Sequence, residues 1–341
     1  MEEKKTLIGL NPTELKEIVQ NMGMPAFTVK QITEWLYKKR ITSIDDMTNI
    51  STKNRERLKE RFEIGLHPPI QEQTSIDGTK KYLFKTRDGH AIESVLIPEE
   101  DRFTLCVSSQ AGCKMACKFC MTGKQGFIGQ LKAAEIMNQI MSIAEADKLT
   151  NLVFMGMGEP FDNTMEVLRA LEILTADYGY AWSPKRITVS TIGLMQGMRE
   201  FLEQSACHLA ISLHTPFAKE RAELMPIEKT HPLSEILKTI REYDFTKQRR
   251  VSFEYIMFEG YNDTVRHAVE TVKLLRGLEC RVNLIRFHAI PNVDLKTSDE
   301  QKMISFRNYL TNNGIICTIR RSRGEDISAA CGMLAAGKRK S

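Results

Sequence analysis

No run of apolar residues in this chain approaches the length of a membrane span, and the opening MEEKKTLIGL lacks the apolar block of a secretory signal. The expected location is the cytoplasm, with no membrane partner. No G-x-G-x-x-G follows any β-branched run, which weakens a dinucleotide-binding reading. Neither sign of charge dominates: 48 Lys and Arg stand against 43 Asp and Glu, a net +5. So mild an excess is compatible with a nucleic-acid partner but does not argue for one. There is no second C-x-x-C pair among the eight cysteines. In a reducing cytosol eight cysteines are not a disulfide framework. Three of them cluster, at Cys113, Cys117 and Cys120; five are scattered.

What is present falls into three stretches. Residues 1–75 read as a small helical domain. Asn11-Pro12 supplies a cap and a first-turn proline, Leu15, Ile18, Val19 and Met22 recur at helical spacing, and Gly23 stops the run. A second helix carries Ile32, Trp35 and Leu36, and a third begins near Ser51 and carries Leu58 and Phe62. Basic residues at 38–40 and 55–61 are interleaved with glutamates, so a solvated helix face competes with RNA contact. HPPI (67–70) marks a boundary, and residues 76–98 read as a β-hairpin extension turning at Asp88-Gly89. Residues 99–341 alternate strand-like and helix-like stretches. The strands are TLCVSS (104–109), NLVFMG (151–156), RITVST (186–191), HLAISL (208–213), VSFEYIM (251–257), RVNLIRF (281–287) and CTIRR (317–321). This alternation implies an α/β fold with a parallel sheet. Periodicity alone does not choose between a partial barrel and a doubly wound sheet.

The chemistry begins at CKMACKFC (113–120), which follows the first of these strands and so lies at its C-terminal end, where parallel α/β folds place their sites. A structural zinc site closes with four ligands, commonly two pairs. Here there are three cysteines and no second pair. An iron–sulfur cubane takes one thiolate per iron, so three cysteines leave one iron open to a small molecule.

C-x-x-x-C-x-x-C in this place resembles the cluster motif of the radical S-adenosylmethionine (SAM) superfamily. The resemblance implies a partial (β/α)6 barrel and a [4Fe-4S] cluster on Cys113, Cys117 and Cys120, whose open iron chelates SAM. It places Phe119 near the SAM adenine. MGMGEP (155–160), an ordinary Gly-Pro turn if taken alone, then matches the segment that binds the SAM methionine moiety through Gly158 and Glu159. Ser190, and Ser212-Leu213-His214, match further SAM-contacting positions at strand ends. In order along the chain, TLCVSSQAGCKMACKFCMTGKQGF, FMGMGEP, ISLHTP, LMPI and RGEDISAACG closely resemble the RlmN/Cfr family of RNA adenine methyltransferases.

That family resemblance gives roles to two scattered cysteines that would otherwise read as small core residues. Cys331 accepts a methyl group from a first SAM. A second SAM, two being used per turnover, yields the radical that activates this methyl for addition to the adenine ring. Cys106 then attacks the Cys331 sulfur, releases the RNA and leaves a disulfide. Adenine C2 is an aromatic C–H carbon and not a nucleophile, so a methyl-cation donor alone does not methylate it. Glu93 matches the acceptor of the ring proton. The family commonly carries Asn in N-L-I-x-x-N after the sixth barrel strand, and NLIRFH puts His288 there. Cys207, Cys280 and Cys317 match no family role and read as core or strand-end residues.

The implied partners are 23S ribosomal RNA, certain tRNAs through the adenine 3′ to the anticodon, and an electron donor such as a flavodoxin system; the implied state is a monomer. Basic segments at 247–250 and 338–340, with Arg320, Arg321 and Arg323, suit RNA phosphates. CMTGKQGF and IPEEDRFTLCVSSQ look like the C2-methylating branch, whereas STIG (190–193) and NLIR (283–286) look partly like the C8-methylating branch, which confers antibiotic resistance. A non-catalytic RNA-binding protein with a closed structural metal site is the alternative from another class.

Overall fold

The β-branched runs pair into one sheet of ten strands in the computed structural model, which describes residues 4–245 and 251–335. They are β1 (Gln71–Thr74), β2 (Lys80–Lys85), β3 (Ala91–Pro98), β4 (Phe103–Cys106), β5 (Asn151–Phe154), β6 (Ile187–Thr191), β7 (His208–Ser212), β8 (Val251–Met257), β9 (Cys280–Arg286) and β10 (Ile316–Ile319). Each strand pairs with the next in sequence, so spatial order equals chain order. β1 to β4 are antiparallel. β4 to β10 are parallel. A doubly wound sheet reverses its strand order at a switch point. This one never does, and its helices fall between successive parallel strands, as in a barrel left open between β1 and β10.

The helices bury one stripe each. Ala133–Met141 buries Ile136, Met137 and Ile140; Leu233–Arg241 buries Ile236, Leu237 and Ile240. Spacings of three and four put those side chains on one face, and each buried aliphatic side chain contributes about 1.5–3 kcal/mol. Two strands end earlier than their sequences suggest. After Cys106 the chain leaves the sheet because Ser108 donates its N–H to the Gln139 amide oxygen at 2.9 Å and Ser109 donates to the Met157 carbonyl. After Phe154, Gly156 donates to the Val107 carbonyl at 3.1 Å. These bonds keep the continuations of β4 and β5 tied to each other beyond the ladder, and Cys106 and Gly156 there line a cavity.

The hairpin of β2 and β3 turns at Asp88-Gly89, where Gly89 takes φ +83° and pairs Phe84 with Ile92 across the strands. A second turn precedes it, Ser75 to Thr79 between β1 and β2, closed by donation from Ser75 N–H to the Thr79 carbonyl at 2.8 Å. The helical unit follows its capping signals. Asn11 and Glu14 form a reciprocal capping box on Pro12–Asn21, and Ser51 caps Thr52–Arg61. That last helix stops one residue before Phe62, which pairs instead as part of a two-residue strand with Lys5. Gly9 lets the unit approach the barrel: a Cβ there would lie 2.3 Å from the Ala134 nitrogen. Asn138 binds both backbone groups of His67, and Glu14 pairs with Arg169. Among the described residues no helix is long and apolar enough to cross a membrane.

Candidate active site

The loop after β4 bends where only glycine fits. Gly112 has φ +71°, and a Cβ there would stand 1.9 Å from the Gly126 carbonyl oxygen. Lys118 N–H donates to the Leu224 carbonyl at 2.9 Å, and Cys120 N–H closes a turn on the Cys117 carbonyl at 3.1 Å. Cys113, Cys117 and Cys120 thereby open onto one cavity of about 540 Å³ at the C-terminal ends of the parallel strands. That volume suits a cofactor-sized ligand. Burial pushes the Cys113 thiol up to about 12 and the Cys117 thiol well above its ordinary value, and the other two sulfurs raise Cys117 further. Two buried thiols that resist ionising, with a third sulfur beside them, fit a cationic iron group, which reverses that balance. Among the described residues no three His, Cys, Asp or Glu side chains are placed to hold a single metal ion.

The wall opposite comes from the next strand ends. Gly158 takes φ +98° and packs against Gln110, where a Cβ would meet the Gln110 Cβ at 2.5 Å. Glu159 is buried and receives three donations, from Thr191 Oγ1 at 2.6 Å, Phe161 N–H at 3.1 Å and Ile192 N–H at 3.1 Å. Burial nonetheless raises its pKa to about 7, the donors opposing. Ser190 and Ser212 also line the cavity, whereas Leu213 packs its side chain in the core and reaches the site only through its neighbours. His214 adopts φ +55°, and its Nδ1 accepts from Ile256 N–H at 3.0 Å. Burial, aided by Arg221, drops its pKa to about 3, so the ring is neutral and carries its proton on Nε2. Phe119 meets that ring edge-on at 4.7 Å between centroids.

Cys106 and Cys331 line the same cavity although 225 positions separate them. The Cys106 thiol is raised to about 12, first by burial and then by Cys331. Cys331 is open to the cavity, yet the surrounding protein raises its pKa, with the Glu254 charge adding to the effect. Glu93 is not solvated. It is buried on β3 outside the cavity lining, where its Oε1 lies 3.3 Å from Lys81 Nζ and its Oε2 accepts from Ala335 N–H at 2.9 Å. His288 lines the cavity and shares a hydrogen bond with Ser322 Oγ at 3.1 Å. Burial lowers its pKa, with Glu325 opposing. Cys207, Cys280 and Cys317 are buried away from the lining.

Sequence reasoning passed over Arg221. It is fully buried, pairs with Glu228, and donates to the Ile192 carbonyl at 3.0 Å and the Ser212 carbonyl at 2.9 Å. One guanidinium thus ties together the loops after β6 and β7. Glu254 was passed over too. This carboxylate lines the cavity and accepts from Asn283 Nδ2 at 2.7 Å and Ser252 Oγ at 3.2 Å. Its strand, VSFEYIM, is otherwise buried, and a glutamate on a fully buried strand was the available signal. Of the basic residues, Arg320, Arg321 and Arg323 line the cavity. Lys59 and Arg55 in the helical unit are engaged locally, with Asp45 and Glu56 and with the Met47 and Ile50 carbonyls. The basic segments 247–250 and 338–340 lie outside the described residues.

Comparison with known proteins agrees with this geometry. Residues 107–275 match the model of the radical SAM superfamily, and residues 5–64 match that of the ribosomal RNA large subunit methyltransferase N-terminal domain. The chain is 62% identical over 339 residues to the probable dual-specificity RNA methyltransferase RlmN of Phocaeicola vulgatus, covering 99% of this chain and 97% of that one. It is 42% identical over 327 residues to the dual-specificity RNA methyltransferase RlmN of Syntrophobacter fumaroxidans, covering 95% and 96%. A crystal structure of a radical SAM methyltransferase from Sphaerobacter thermophilus superposes with a TM-score of 0.91 at 38% identity, over 98% of this chain and all of that one.

Proposed function

The chain belongs to the RlmN family of radical SAM methyltransferases, and from that premise we propose that it methylates C2 of an adenine in 23S ribosomal RNA and of the adenine 3′ to the anticodon in some tRNAs. The observation that carries the reading is the meeting of Cys106 and Cys331 in the cavity that the three clustered cysteines share. A methyl carrier and a thiol to release it are needed together in no simpler methyl transfer.

In this reading Cys113, Cys117 and Cys120 hold the [4Fe-4S] cluster. Gly158, Glu159, Ser190, Ser212, Leu213, His214 and His288 hold SAM, with Phe119 beside its adenine. The bound pair supplies the one-electron chemistry that an unreactive ring carbon requires. The glycine at 158 lets backbone approach the ligand, and Glu159 is available to accept from an ammonium group. The neutral His214 ring is a hydrogen-bond donor through Nε2 and adds no charge beside the cluster. The Cys331 thiolate carries the methyl as a thioether. Glu93, held between Lys81 and the Ala335 amide, receives the ring proton. Once the adduct has also given up its unpaired electron to the redox group, the Cys106 thiolate attacks the Cys331 sulfur and forms a disulfide as the carbon–sulfur bond to the RNA breaks; the released carbon keeps that bond's electron pair and takes up a proton to become the methyl group. The disulfide and the cluster both need electrons from a donor of the flavodoxin type. The target adenine must leave its stack to reach a walled cavity, so a loop or flipped base is the substrate. The arginines at the rim suit its flanking phosphates. The protein acts as a cytoplasmic monomer.

Mass spectrometry of ribosomal RNA adenosines from cells with and without the gene tests the proposal. Loss of 2-methyladenosine is expected. Loss of 8-methyladenosine with 2-methyladenosine unchanged would reject it in favour of the C8 branch.

A further inference from the structure

Cys331 sits on a segment that is neither helix nor strand from the end of β10 to Ala335. No backbone ladder fixes its path. Downstream of the cysteine, three bonds hold it: Met121 N–H to the Gly332 carbonyl at 2.8 Å, Thr122 Oγ1 to the Leu334 carbonyl at 2.7 Å, and Ala335 N–H to Glu93. Upstream it meets the Ser75–Thr79 turn through two carboxylates that cross over. Asp77 of the turn accepts from Gly324 N–H of the segment at 3.0 Å. Asp326 of the segment accepts from Ser75 Oγ at 2.6 Å and Ile76 N–H at 3.2 Å of the turn. Asp77 also accepts from Thr79 N–H at 2.9 Å, which stiffens the turn itself. The approach is close: Gly324 has φ +63°, and a Cβ there would lie 2.9 Å from Thr79 Cγ2.

We infer that Asp77 and Asp326 are positioning residues, a reciprocal clasp that fixes the methyl-bearing sulfur of Cys331 over the cavity. The inference rests on Cys331 being the methyl carrier. The tip of the turn is in solvent, Ile76 being 96% exposed, while Ser75 and Thr79 at its two ends are buried. What the clasp joins is a surface turn and the one segment that carries the reacting sulfur. Burial works to raise the Asp77 pKa, but donation from Thr79 and Gly324 overrides it and sets it at about 2. Donation from Ser75 lowers Asp326 as well. Both groups are therefore ionised at neutral pH, and charged acceptors make the stronger hydrogen bonds.

The test uses reconstituted holoenzyme carrying Asp77→Ala, Asp326→Ala or Asp326→Asn, with substrate RNA. Hydrogen exchange of residues 324–335 is expected to quicken by about tenfold in the alanine variants, the effect of losing about one hydrogen bond. Exchange in β6 to β9 and the KM for RNA stay as in the unaltered enzyme. The diagnostic readout is 5′-deoxyadenosine released per adenine methylated. A misplaced sulfur wastes the radical, so this ratio rises several-fold, and Asp326→Asn, which keeps one acceptor oxygen, restores part of the coupling. Faster exchange with an unchanged ratio would show a merely structural contact and overturn the inference, as would no change in either. Failure of the underlying reading shows elsewhere, as methylation that survives Cys331→Ala in an otherwise unaltered chain.

Discussion

Cys106 is the residue whose burial has the clearest kinetic consequence. Its thiol is raised to about 12, so at neutral pH the neutral form dominates and the thiolate that the proposed release step needs is scarce. Below that pKa the thiolate fraction grows about tenfold for each pH unit. In a single turnover started from Cys331-methylated enzyme, the rate of disulfide formation and RNA release should therefore climb with pH from 6.5 to 8.5 at a log slope of ~1. Quenched samples resolved by thiol-blocked peptide mass spectrometry measure it, and a flat profile would show that release is not limited by Cys106 ionisation. Arg221 makes the opposite point about what a single residue reveals. AKERAELMPIEK looks like a solvated charged helix, and nothing in its spacing tells the one buried guanidinium from its neighbours. Only the tertiary fold brings the Ile192 and Ser212 carbonyls and Glu228 around it. Glu93 likewise carries no mark of a role within AIESVLIP, and only the family pattern singles it out.

At the scale of elements, the path of the loop bearing Cys113, Cys117 and Cys120 depends on Gly112. A methyl group there meets the Gly126 carbonyl at 1.9 Å and needs a φ that alanine resists. Gly112→Ala should cut iron and sulfide incorporation on anaerobic reconstitution severalfold while far-UV circular dichroism stays unchanged; full loading would show that the loop can shift without loss. The two hairpin turns among β1, β2 and β3 show how local signals decide legibility. Asp88-Gly89 was readable as a turn because alternating apolar strands flank it. Asp77-Gly78 carries the same dipeptide, but QEQT on one side is polar and mostly exposed, so no alternation marks β1. The strands of the barrel were legible to within a few residues because β-branched runs bounded by polar stretches leave little choice. The C-terminal limit of β4 was not, since Gln139 and Met157 take up the Ser108 and Ser109 amides, whereas β6 and β8 end at Thr191 and Met257 as their sequences suggest.

For the whole molecule, the open question at the level of sequence was barrel or doubly wound sheet. Strand composition is the same in both, so pairing order decides it, and the resemblance of the cysteine motif to the radical SAM superfamily implied the barrel. The basic surface is also a whole-molecule property. The helical unit spends Arg55 and Lys59 on its own contacts, whereas Arg321 lines the cavity and makes no hydrogen bond or ion pair among the described residues. RNA affinity should fall in Arg321→Ala, and the slope of log affinity against log salt should lessen by about 1. Filter binding across a salt series measures both, and an unaltered slope would remove Arg321 from the phosphate contacts.

The strict equality of spatial and chain order in the ten-strand sheet has a consequence for how the protein is made. Each strand finds its partner already synthesised, so the sheet can be laid down in the direction of translation without waiting for a distant segment. The segment bearing Cys331 emerges after all ten strands. A nascent chain can therefore pair its first nine strands, and place the loop of clustered thiols among them, before Cys331 emerges.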